Sequence, residues 1–162
     1  MTTRVGIGYD SHRFSAGRPL RLGGITVPHT HGLAGHSDGD VALHALVDAL
    51  LGAAALGDIG AMFPDDDPQW KGADSARFVK KVVDTLQQGH FTIQQVDVTI
   101  LAERPKLAER IEAMRAATAK ALGVDVSAVS MKAKTNEGMG WVGRGEGIAA
   151  IAVATVDQAA TG

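Results

Sequence analysis

The chain has 162 residues, 45% of them hydrophobic, and a formal net charge of −2. That length predicts a single domain over residues 1–162 with a real core, and the near-neutral balance argues against nucleic acid or an anionic membrane surface as a partner. With no cysteine, disulfides are excluded and a transition-metal site has only histidines and carboxylates to draw on.

The opening MTTRVGIGYD lacks the apolar segment of a secretory signal, and no apolar run approaches the ~20 residues of a membrane helix. A cytoplasmic protein is the expectation. Residues 4–14 predict a strand, with Val5, Ile7 and Tyr9 on one face and Gly6, Gly8, Asp10 and His12 on the other. Asp10 and His12 thus point the same way behind small glycines, a spacing that suits two ligands on one metal. A short hairpin follows at 20–27, and His29 and His31 read as part of a surface loop. The stretch HSDGDVALHALVDALLGAAALGDIG (36–60) predicts a buried helix at 39–56, capped by Ser37 or Asp38 and ended by Gly57. Asp40, His44 and Asp48 recur every four residues and so share one stripe of it.

The acidic run between Pro64 and Pro68 reads as a mobile loop or lid. Residues 73–88 predict an amphipathic helix, 91–102 a strand, 107–122 a helix with Leu107, Ile111, Met114, Ala117 or Thr118, and Leu122 inward, and 129–135 a strand. A glycine-dense loop or short helix at 136–147 precedes a last strand at 148–156. The order predicts an α+β fold, an α/β sandwich in which a mixed four-stranded sheet plus a small hairpin carries helices on one face.

Asp10, His12 and His44 together make a carboxylate and two imidazoles. Three protein ligands leave a tetrahedral zinc ion one open position, the catalytic arrangement. Asp48, one helical turn beyond His44, is expected to orient that imidazole. In the glycine-dense segment Lys134, Thr135 and Asn136 offer donors, Glu137 a carboxylate for a hard cation, and Arg144 a fork for an anion. The residues alone point to a metal-assisted enzyme acting on a phosphorylated small molecule.

The stretches GYDSHRF (8–14), HSDGDVALHALVDALLGAAALGDIG (36–60), FPDDDP (63–68), KGADS (71–75), VDVTILAERPK (96–106) and KTNEGMGWVGRGEGIA (134–149) resemble the 2-C-methyl-D-erythritol 2,4-cyclodiphosphate synthase family. The resemblance implies a homotrimer with active sites between subunits. It implies intramolecular phosphoryl transfer within 4-diphosphocytidyl-2-C-methyl-D-erythritol 2-phosphate, giving the cyclic diphosphate and CMP in the non-mevalonate route to isoprenoids. It also implies zinc, or another divalent metal, on Asp10, His12 and His44, and magnesium or manganese held by Glu137 and the substrate phosphates. His36 and Thr135 match positions that stabilise the transition state. Ser37, Asp58, Ile59, Gly60 and the loop of Phe63, Pro64, Asp65, Asp66 and Asp67 match substrate contacts, with Lys134 and Asn136 near phosphates. Ala102, Pro105, Lys106 and Leu107 match a cytidine pocket supplied by a neighbouring subunit. Trp141 and Arg144 match residues near a cavity on the trimer axis, where members of the family can hold an isoprenoid diphosphate.

Two other readings fit the same residues. One is a zinc-dependent phosphohydrolase; the other is a non-catalytic trimer that binds an isoprenoid or a nucleotide around a structural metal.

Overall fold

The computed structural model describes residues 1–160, so the last two positions of the expected 1–162 domain lie outside the described residues. Strand β1 (Thr2–Ala16) leads into the hairpin β2 (Leu20–Leu22) and β3 (Ile25–Val27), then a short strand β4 (His31–Leu33). Helix α1 (Val41–Ala54), the single turn α2 (Ile59–Met62) and helix α3 (Ala76–Gln88) follow. Strand β5 (Phe91–Leu101), helix α4 (Ile111–Leu122), strand β6 (Val129–Lys134), the turn α5 (Gly140–Gly143) and strand β7 (Gly147–Gln158) complete the chain.

The four expected strands form one mixed sheet, joined at its edge by β4, in the order β4-β1-β7-β5-β6. β5 and β6 run parallel, and the β1–β7 and β5–β7 pairs are antiparallel. The fifth strand corrects the reading of His31 as loop. Its three residues pair with Phe14, Ser15 and Ala16 at the far end of β1, and such a segment is too short to announce itself by alternation.

Helices cover one face of the sheet. The alternation along β1 holds, but the face turned to the core is the glycine one. A Cβ at Gly8 would stand 1.9 Å from the Ala45 carbonyl oxygen, and one at Gly6 2.0 Å from that of Ala49. Glycine lets the α1 backbone lie directly on the strand, which brings a residue on the facing side of the helix to the level of Asp10 and His12. Val5, Ile7 and Tyr9 point away from the helices and stay exposed.

The cap of α1 is Asp40, not Ser37 or Asp38. Its carboxylate, fully buried, accepts from the Leu43 N–H and also from the Gly23 and Gly24 N–H groups of the β2–β3 turn. Burial pushes the Asp40 pKa up, while those three backbone donors and the repulsion of Asp38 act in opposite senses on it. The helix ends at Ala55, in the left-handed conformation, rather than at Gly57, so Leu56 is left exposed. Helix α3 buries Phe78, Val79, Val82 and Leu86, and α4 buries Met114, Thr118 and Leu122. No helix among the described residues is long and apolar enough to cross a membrane.

Candidate active site

Asp10 and His12 project from the same side of β1, and His44 meets them from α1. Asp10 Oδ2 lies 2.8 Å from His12 Nε2 and 3.1 Å from His44 Nδ1, and the two ring nitrogens are 3.1 Å apart. A tetrahedral zinc ion with bonds of about 2.0–2.1 Å separates its ligands by about 3.3 Å, so this triangle needs to open by only a few tenths of an ångström to hold one. The donor set, one carboxylate and two imidazoles, suits zinc and similar divalent ions.

Burial alone would raise the Asp10 pKa, but the hydrogen bonds and charge of His12 and His44 outweigh it and bring it to about 2. His12 moves the other way. Its burial disfavours the imidazolium, yet the hydrogen bond and charge of Asp10, with a backbone bond at Ala34, leave its pKa raised. The ionised carboxylate offers its charge to a cation, and His12 must give up its proton before it can act as a ligand.

The groups behind His44 differ from those expected. Nε2 of its ring faces Ser75 Oγ at 2.9 Å and Ser37 Oγ at 3.2 Å. Asp48 instead accepts from the Ile59 N–H at 2.8 Å and anchors the start of α2. One helical turn carries Asp48 past the imidazole to the next turn of chain. Burial pushes its pKa up.

A cleft of about 250 Å³ opens over the triangle, lined by Asp10, His12, Gly35, His36, Ser37, His44, Ile59, Gly60, Phe63, Asp65, Trp70 and Phe78. Phe63, Trp70 and Phe78 stack with ring centres 4.5–5.2 Å apart and form its apolar wall. Asp58 caps α2 through the Ala61 N–H, and Asp67 caps the turn at Pro68–Trp70, while Pro64 and Asp66 are exposed beside the cleft. His36 Nε2 lies 3.2 Å from the Asp67 carbonyl, and the Arg18 guanidinium donates to the Gly35 and Ser37 carbonyls on either side of it.

A second cleft, of about 630 Å³, gathers Ala102, Pro105, Lys106, Leu107, Lys132, Lys134 and Thr135. Asn136 and Glu137 adjoin it. Glu103 accepts from the Asn136 and Gly138 N–H groups and so clamps the loop that presents the exposed Glu137. The two clefts lie at one end of the sheet but on different strands. From β1 across β7 and β5 to β6 is three strand spacings, about 14 Å. One chain therefore does not bring Thr135, Lys106 and Glu137 to the Asp10–His12–His44 cluster. Trp141 lines a third, smaller pocket with Ser11, His12, Arg13 and Glu146, and Glu146 engages the Arg144 guanidinium at 2.8 Å.

Sequence reasoning missed Ser75, Asp38, Arg18 and Glu103. In the sequence Ser75 reads as an ordinary helix cap, and only the structure shows that it makes no capping bond. Arg18 and Glu103 act through backbone groups of loops, and Asp38 through Ser75, in loops whose shape the sequence does not state.

The chain is 56% identical, over 96% of its length and 99% of the relative's, to a Salinibacter ruber protein named 2-C-methyl-D-erythritol 2,4-cyclodiphosphate synthase. A solved structure of a 2C-methyl-D-erythritol-2,4-cyclodiphosphate synthase in a CDP-bound form superposes with a TM-score of 0.87 at 37% identity, covering 95% of this chain and all of that one. The bifunctional IspDF of Campylobacter jejuni gives a TM-score of 0.93 at 39% identity, over 98% of this chain and 43% of that longer one. The model of the YgbB family matches residues 3–157, a span that takes in both clefts and every strand of the sheet; the chain belongs to the YgbB family.

Proposed function

We propose that residues 1–162 form a single cyclodiphosphate synthase domain. It converts 4-diphosphocytidyl-2-C-methyl-D-erythritol 2-phosphate to 2-C-methyl-D-erythritol 2,4-cyclodiphosphate and CMP, a step of the non-mevalonate route to isoprenoids. The observation that carries this reading is the Asp10–His12–His44 triangle opening onto a cleft of about 250 Å³, in a chain 56% identical to a synthase of that name.

An oxygen of the 2-phosphate attacks the β-phosphorus, the bond to CMP breaks, and its electron pair leaves with CMP. No water is consumed. A phosphate oxygen is already ionised, so no side-chain nucleophile or strong base is needed, in keeping with a site that has no cysteine. The barrier lies in bringing two anions together and in holding attacker and leaving group in line. Zinc or another divalent ion on Asp10, His12 and His44, and magnesium or manganese on Glu137, would supply electrostatic relief of that repulsion when bound. His36 and Ser37 donate toward the phosphates from the first cleft. Asp58, Ile59 and Gly60 orient the erythritol, and the segment from Phe63 to Asp67 covers it. In the second cleft Ala102, Pro105 and Leu107 receive the cytosine ring, Lys106 and Lys134 meet nucleotide phosphate charge, and Thr135 and Asn136 donate to the diphosphate.

The clefts sit about 14 Å apart across the sheet of one chain, which favours a site assembled between subunits of a homotrimer. The exposed Val5, Ile7, Tyr9, Ile151 and Val153 on the open sheet face support such an assembly. Arg13 and Trp141, with Arg144 nearby, offer cation and aromatic surface to an isoprenoid diphosphate on the trimer axis.

The test is product analysis by ³¹P NMR after incubating the substrate with protein, zinc and magnesium. Cyclic diphosphate plus CMP is the expected outcome. A linear diphosphate would make the protein a phosphohydrolase, and binding with no turnover would make it a non-catalytic receptor.

A further inference from the structure

We propose that Ser75 and Asp38 are positioning residues that fix the tautomer of His44 for cation binding, holding the proton on Nε2 so that Nδ1 is free to ligate beside Asp10 and His12. This inference rests on reading Asp10, His12 and His44 as metal ligands.

Ser75 is fully buried and stands at the N-cap of α3, yet its hydroxyl caps nothing. Its backbone N–H donates to Asp38 Oδ2 at 3.0 Å, and its hydroxyl makes a short bond to Asp38 Oδ1. Arg21 lies 3.9 Å from the same carboxylate. An ionised carboxylate only accepts, so the Ser75 proton must point at Asp38. That leaves lone pairs of Ser75 Oγ facing His44 Nε2 at 2.9 Å, where they can receive a proton but not give one. The direction of every bond in the series from Asp38 to His44 follows from the charge at its far end. On the other side of the ring Asp10 Oδ2 faces Nδ1 at 3.1 Å and competes for the same proton in the metal-free protein; a cation held by Asp10 ends that competition and leaves Nδ1 as the acceptor nitrogen of the triangle. A metal ligand must present such a lone pair, and orienting partners of this kind typically affect affinity by 10–100-fold.

Isosteric Asp38→Asn breaks the logic without changing volume. An amide NH₂ can donate to Ser75 Oγ, turn the serine proton toward His44, and move the imidazole proton to Nδ1. Ser75→Ala removes the nearer acceptor and leaves His44 Nε2 only Ser37 Oγ at 3.2 Å, which has no link to Asp38.

Two readouts test this. In zinc-loaded protein, ¹⁵N–¹H correlation of the histidine rings is expected to find His44 protonated on Nε2 in the wild type, with that proton exchanging faster with water in Asp38→Asn. In cobalt titrations followed by the d–d bands, Ser75→Ala and Asp38→Asn are each expected to bind about 10–100-fold more weakly than wild type. A wild-type His44 protonated on Nδ1, or variants with unchanged cobalt affinity, would overturn the proposal. The wild-type tautomer needs no variant, so a substitution that fails to fold leaves that readout standing. Failure of the wild type to bind cobalt would instead refute the metal site itself, whereas a wild type that binds cobalt alongside variants of equal affinity refutes the relay alone.

Discussion

At the scale of single residues, Asp10 and His12 hold each other in charged forms. Burial works against both, and their hydrogen bond and mutual attraction prevail, leaving Asp10 at about 2 and His12 raised. The signs set two limits on the metal-free protein. The depressed carboxylate contributes stability that is present above its unfolded value near 3.8 and is lost as pH falls toward 2. The raised imidazole contributes stability that is complete below about 6.5 and is lost as pH rises through its folded value. The pair is therefore most stabilising between roughly pH 4 and 6.5. A metal ion needs His12 without its proton, so binding must displace it. Cobalt affinity is expected to rise by up to about tenfold per pH unit from pH 6 until His12 deprotonates in the free protein, and competition with a chelator at several pH values measures this. A flat profile would show that His12 is not a ligand.

The Asp10–His12–His44 cluster was legible in the sequence, because strand and helix periodicity alone put Asp10 and His12 on one side and His44 on a buried stripe. The role expected for Asp48 was not borne out in the geometry. Helical spacing names the residues that share a stripe, but not which neighbour each one meets along it. Here the next neighbour is the Ile59 N–H. Ser75 and Asp38 were invisible for a related reason: thirty-seven residues separate them, and only the folded loops bring them together.

At the scale of elements, the site depends on how closely α1 lies on β1. A Cβ at Gly8 would meet the Ala45 carbonyl at 1.9 Å and the Ala49 nitrogen at 2.7 Å, both backbone atoms that cannot rotate away. Gly8→Ala is expected to lift the helix, destabilise the protein by about 3 kcal/mol or more, and weaken cobalt binding by separating His44 from Asp10 and His12. Gly52, exposed on the same helix, has its nearest neighbour at 3.8 Å. Gly52→Ala is expected to be neutral or to stabilise by up to ~1 kcal/mol. Urea unfolding of the two variants, with cobalt titration of each, checks the contrast; equal effects would mean that close packing of strand and helix does not set the site. The glycines of β1 were readable as small residues but not as the inward ones, since Val5, Ile7 and Tyr9 are the residues a core would ordinarily claim. Strand β4 escaped notice because its pairing, not its composition, makes it a strand.

At the scale of the molecule, the apolar face of β1 and β7 is left open. Ile7 is 72% and Val5 65% exposed, and Ile7 and Tyr9 lie opposite Val153 and Ile151 in the antiparallel register. If this face joins subunits, Ile7→Asp is expected to shift the protein from trimer to monomer in sedimentation velocity. Turnover should fall by at least about 100-fold as clefts from different chains separate, corresponding to roughly 3 kcal/mol of lost transition-state stabilisation. Cobalt affinity should stay near wild type, because Asp10, His12 and His44 belong to one chain. A monomeric wild type with full turnover would contradict the shared site.

The most direct measurement is an anomalous difference map at the zinc edge from crystals grown with zinc. We expect one strong peak within about 2.0–2.3 Å of an Asp10 oxygen, His12 Nε2 and His44 Nδ1, with a fourth position open to the cleft. A zinc-loaded crystal with no peak there, and with these three side chains still bonded to one another, would contradict the account.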